Sequence, residues 1–152
     1  MLNQSQIAQC RQRIDAYLAD QSSAELDRNR VGLIPTIAGL IADYRAGSLE
    51  LPVFKTKIDS LNKQNQFWGF KGMSGQMFFN MMFNTSADHG LLDRFDQLLK
   101  WTIEKPSDSA AAKLAIDEFV TQAANLGQFF PDGRAAPRTG SVPFFLSYFW
   151  SM

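Results

Sequence analysis

The segment Gly69-Phe-Lys-Gly-Met-Ser-Gly75 holds the chain's densest set of groups that could do chemistry. Its three glycines and one lysine stand just ahead of a helical pattern. Backbone amides at a helix start point at negative charge, and Lys71 adds a cation beside them. The ligand this arrangement would take is an anion such as phosphate, held by Lys71, Gly72, Ser74 and Gly75. The spacing departs from known phosphate loops. A Walker A loop needs Gly-x4-Gly-Lys-Ser/Thr, and a dinucleotide fingerprint needs a preceding strand. Gly72-Met-Ser-Gly75 shares the Gly-x-x-Gly of KH loops, but the three-stranded sheet of that domain has no counterpart here. The same glycines would also let a bulky helix approach its neighbours closely, which is a packing role.

Ser74 could act as a nucleophile only with a base, and His89 is the sole imidazole. The nucleophile elbow is Gly-x-Ser-x-Gly, whereas this chain reads Gly72-Met-Ser-Gly-Gln76. Asp88-His89 is half of a metal site, with no second histidine and no neighbouring cysteine. No pair of carboxylates stands out as an acid–base couple. The sequence therefore predicts no catalytic residue, metal or cofactor.

A second chemistry is phosphate neutralisation with base stacking. Residues 55–71 carry Lys55, Lys57, Lys63 and Lys71 against Asp59 alone, with Trp68 close by. Lysines interleaved with rings are how single strands are held. Arg134 and Arg138, in the stretch 128–142, could extend that surface. The plainer reading is a solvated helix face beside core aromatics.

A third is protein recognition. Met73, Met77, Met81 and Met82 are flexible and polarisable, which suits irregular cores and adaptable surfaces alike. The terminal Phe144-Phe-Leu-Ser-Tyr-Phe-Trp150 is strongly aromatic, as interfaces tend to be. One face of that segment should dock on the core while Tyr148 and Trp150 face a partner or a following domain.

Composition narrows these choices. The 15 basic and 15 acidic residues balance, so no global field draws the chain to nucleic acid or an anionic membrane. Cys10 is the only cysteine, which excludes an internal disulfide and fits a reducing, cytoplasmic setting. The first residues lack the layout of a signal peptide. No apolar run approaches the ~20 residues of a membrane span. Because the sequence stops at Met152 inside an aromatic segment, it reads as the N-terminal module of a longer chain.

Helical periodicity supplies the elements that must position these groups. Ile7, Cys10, Ile14 and Tyr17 give one apolar face over 4–20. Ile34, Ile37, Ile41 and Tyr44 repeat the spacing, with Pro35 suited to a first turn and Gly47 to an end, while a start near Gly32 would put Pro35 inside and bend the helix. Leu51-Pro52 opens a third helix with Phe54, Ile58 and Leu61 inward. Residues 67–83 hold five Phe and four Met, so 75–83 reads as a buried central helix, capped by Ser74. Leu91, Leu92, Phe95, Leu98 and Leu99 mark a fifth helix starting at Asp88 or Asp93. Ala112, Ile116, Phe119, Ala123 and Leu126 mark a sixth over 108–126, closed by a left-handed Gly127. Pro143 opens a last one.

The expectation is one all-α domain, a bundle of six to seven helices around the apolar helix at 75–83. Its expected role is a non-catalytic interaction or regulatory module of a multidomain, prokaryotic-type protein. The alternative is a nucleic-acid-binding or specificity domain serving an ATPase or nuclease effector.

Overall fold

The computed structural model of the chain describes residues 3–67, 70, 72–130 and 136–152. It is all-α: seven helices and one 3-10 turn, with no strand among the described residues. Backbone contacts divide it into two units, Met1–Ile34 and Pro35–Met152.

In the first unit, α1 (Gln4–Ala19) begins at a capping box. The Asn3 side chain accepts from the Gln6 amide at 2.9 Å, and the Gln6 side chain accepts from the Asn3 amide at 2.9 Å. Asp20 ends α1 and starts α2 (Gln21–Arg45). Its carboxylate accepts from the Ser23 hydroxyl at 2.6 Å, the Ser22 hydroxyl at 2.8 Å and both serine amides. These bonds, the Ser23 hydroxyl foremost, hold the Asp20 carboxyl down at about 2. The Tyr17 hydroxyl donates to Asp27 at 2.7 Å. No residue of α1 is buried, although its bounds match the apolar period that predicts it.

α2 begins fourteen residues before Pro35, so the proline lies inside the helix rather than in its first turn. The polar stretch 21–30, which lies between the two apolar periods of the sequence, is part of α2 because Asp20 caps its first turn. The proline nitrogen has no proton to give to the carbonyl of Val31, and the unit boundary falls at this residue.

The second unit holds the rest of α2, then α3 (Leu51–Asn65), α4 (Gln76–Asp88), α5 (Leu92–Thr102), α6 (Ser109–Gly127), the 3-10 turn (Thr139–Ser141) and α7 (Val142–Trp150). Gly47, at φ +77, ends α2, and Gly90, at φ +69, follows α4. Each is followed by an amide that reaches back to the helix: Ser48 to the Asp43 carbonyl, Leu91 to that of Ser86. Gly127 adopts no such conformation. The chain leaves α6 through right-handed Gln128, and the Phe130 amide returns to the Gly127 carbonyl at 3.0 Å.

α4 packs on α5 and α6, and α7 packs on α6. The core is aromatic: Phe54, Phe67, Phe70, Phe78, Phe79, Phe95, Phe119 and Phe145 are all buried. α4 is central, but one side opens outward at Met77. Tyr44 ties α2 to its neighbours. Its ring stacks on Phe54 at 4.3 Å and its hydroxyl donates to the Asp96 carboxylate at 2.7 Å. Burial, then that bond, pushes the phenol well above its usual range.

Asp108 caps α6 by accepting the Ala111 amide at 2.8 Å, and that bond lowers its pKa. Both caps are depressed carboxylates, so their contribution is complete above the ordinary value of 3.8 and fades as pH falls through about 2 at Asp20. Circular dichroism at 222 nm should therefore lose helix signal between pH 4 and 2, with a smaller loss in Asp20→Ala/Asp108→Ala. An equal loss in that variant would contradict the capping role.

Candidate functional site

The glycine loop enters α4 through Gly72, at φ +131, and Gly75. Positive φ at Gly72 suits a residue without a side chain. A side-chain carbon on Gly75 would sit 2.6 Å from the carbonyl carbon of Phe70, far inside contact. The backbone of Phe70 thus lies directly on Gly75. The Gln76 amide donates to the Phe70 carbonyl at 2.7 Å and the Met77 amide to the Gly72 carbonyl at 3.0 Å. These are first-turn donors that an anion would take, and the loop's own carbonyls already occupy them.

The cap of α4 is Gly75, with no side-chain bond to the helix, so Ser74 does not fill the capping role its position suggests. Ser74 instead accepts a 3.4 Å hydrogen bond from the Ser141 hydroxyl. This contact joins the glycine loop to the 3-10 turn, whose N-cap is Arg138. The loop and the 3-10 turn are thus in contact at these two serines. Arg138 is exposed; Trp68, Lys71 and Arg134 lie outside the described residues. His89 ends α4 rather than starting a helix, and its ring stacks on Phe129 at 3.6 Å. No group of three or more metal-ligating side chains occurs among the described residues.

The α3 lysines separate into two kinds. Lys57 and Lys63 are exposed. Lys55 is withdrawn, with its side chain 12% exposed, and pairs with Asp59 at 2.6 Å. It also donates to the Asn80 side chain at 2.5 Å, and its ammonium stands 5.5 Å from the Phe79 ring centre and 5.4 Å from that of Phe83. Two turns on from Lys55, buried Asn62 donates to the Gln76 side chain at 2.8 Å. A polar seam thus joins α3 to α4, and within it Asp59 Oδ1 and Asn62 Oδ1 have no hydrogen-bond partner among the described residues. Asn62 takes the inward position expected of Leu61, which is half-buried.

The aromatic terminus is also sorted by the fold. Tyr148 is buried, stacked on Phe70 at 4.2 Å, and burial raises its phenol pKa. The Trp150 indole donates to the Thr102 carbonyl at 2.8 Å, which docks it on the end of α5. Phe144, expected to dock on the core with Phe145, Tyr148 and Phe149, is instead 68% exposed. The available signal was adjacency: neighbouring helix positions point about 100° apart, so Phe144 and Phe145 cannot both face inward. Trp101 and Leu114 are likewise exposed along a groove of about 320 Å³ that Glu104, Lys105 and Pro106 also line.

Two substitutions test these assignments. Gly75→Ala should destabilise the fold by about 3 kcal/mol, because backbone must shift, while Gly127→Ala, with open space around it, should be neutral or better by about 0.5 kcal/mol. Urea midpoints at unchanged slope would measure both. Lys55→Ala should cost about 2–3 kcal/mol by leaving Asp59 and Asn80 unpaired inside, whereas Lys57→Ala should stay within about 0.5 kcal/mol. Equal effects of the two lysine substitutions would remove the seam's structural role.

No family model matches the chain, nor does any curated protein or solved structure.

Proposed function

We propose that the chain is a non-catalytic helical interaction module that docks a protein partner through the first turn of α7. Exposed Phe144 carries this reading. It stands in a helix whose Val142, Phe145, Leu146, Tyr148 and Phe149 are all buried. A large ring left in water while its neighbours are covered has the character of an interface anchor. Met73 and Met77, also exposed, flank the loop that the Ser74–Ser141 contact joins to the start of α7. Their flexible thioethers would adapt to a partner. A regulatory role within a longer multidomain protein extends the same reading. Exposed Cys10, a free thiol, suits a reducing compartment, and we place the protein in the cytoplasm. No helix among the described residues is long and apolar enough to cross a membrane.

Nucleic-acid contact is the second reading, and exposed Lys57, Lys63 and Arg138 are what favour it. It would show a steep fall in affinity with salt.

A photo-crosslinking residue placed at 144, with position 121 as an exposed polar control, separates the two in cells. A discrete protein adduct at 144 and not at 121 is expected. No adduct, or the same adducts at both positions, would sink the proposal. Adducts to nucleic acid would favour the second reading.

A further inference from the structure

The first unit carries a different surface. α1 is 16 residues long and buries none of them. A helix of that length is marginal in water unless a face is covered. Yet Ile7, Ile14 and Leu18 are 40%, 56% and 67% exposed. With Arg11 they form a single stripe, 7, 11, 14 and 18, stepping by four, three and four. That is the spacing of a helix–helix seam. Arg11 also lies in one shallow groove with Ile7 and Asp15. Neither Arg11 nor Asp15 enters an ion pair among the described residues.

We infer that α1 is a self-association surface, pairing antiparallel with α1 of a second copy of this chain. The stripe is self-complementary about a two-fold axis near Gln12. Ile7 then meets Leu18 of the other copy, and Leu18 meets its Ile7. Arg11 lies along Ile14 of the other copy, and its guanidinium reaches Asp15 there. Symmetry repeats each contact, as an isologous dimer requires. Parallel pairing would instead stack Arg11 on Arg11. Charge complementarity therefore selects a second copy in antiparallel register over other arrangements of the same stripe. A helix pair about 24 Å long covers on the order of 400 Å² per copy, near half of the ~800 Å² of a standard interface. An interface of that size fits a weak, reversible dimer.

Sedimentation equilibrium of the full chain, from micromolar to near-millimolar concentration, tests this. A concentration-dependent dimer is expected, weakened at least about tenfold by Ile14→Asp with the second unit still folded by near-ultraviolet dichroism. Charge reversal tests the register. Arg11→Asp alone sets carboxylate against carboxylate, and Asp15→Arg alone sets guanidinium against guanidinium. Each variant should dimerise more weakly than the parent by itself, and an equimolar mixture of the two should recover a heterodimer. A monomer throughout, a dimer indifferent to Ile14→Asp, or a mixture no better than its components would overturn the inference.

Discussion

The second unit converges on one ring. Phe145 lies 5.2 Å from Phe78, 5.4 Å from Phe79, 5.5 Å from Phe119 and 5.2 Å from Phe149, centre to centre. A single side chain of α7 thereby touches α4 and α6. The pairs to Phe78, Phe79 and Phe149 are edge-on, the arrangement ring quadrupoles favour, at about 0.5–1.5 kcal/mol each beyond burial. Once Phe145 points inward, the rotation of α7 is set. Val142 and Phe149, one turn to either side, follow it in, and Leu146 beside it is also buried. Phe144, turned about 100° the other way, is left in water. The exposed ring that suggests a docking surface is thus a geometric consequence of the core. Trp150 completes the constraint by pinning the end of α7 to the Thr102 carbonyl.

The glycine loop serves the same centre. Phe70 packs on Phe145, Tyr148 and Phe149, and it can do so because its backbone lies against Gly75. Close approach lets the Phe70 carbonyl take the Gln76 amide. A feature that reads as an anion cradle in one dimension becomes a way of seating an aromatic ring and finishing a helix start together. Gly72 supplies the left-handed backbone that turns the chain into α4.

Between α3 and α4 the contact is polar, and the cost of burying an ammonium explains why Lys55 is so fully partnered. Lys55 buries its stem, and its ammonium finds a carboxylate, an amide oxygen and two ring faces. An ammonium removed from water without such partners would be strongly unfavourable. Asn62 and Gln76 add a directional bond two turns along α3 from Lys55. Apolar faces slide with little penalty, whereas paired donors and acceptors accept one register. The seam thereby aligns α3 on α4, and the withdrawal of Lys55 reduces the basic face of α3 to Lys57 and Lys63.

Periodicity and punctuation alone determined that this chain is helical and where most helices run. Apolar spacing located α1, α3, α5 and α6 within a few residues, Gly47 marked one helix end, and Asp108 and Pro143 marked two starts, because those signals act through local backbone geometry. The start of α2 was not legible, since the Asp20 cap overrides the usual reading of Pro35 as a first-turn residue. Side-chain fates were decided only by tertiary packing. Lysines spaced along one helix look alike until a facing Asn80 and Phe83 select Lys55 for the interior. Aromatics in a dense run look alike until the ring of Phe145 finds its cluster, burying Tyr148 and exposing Phe144. Burial depends on what arrives from elsewhere in the chain, and a linear pattern carries that information only as a preference for one face.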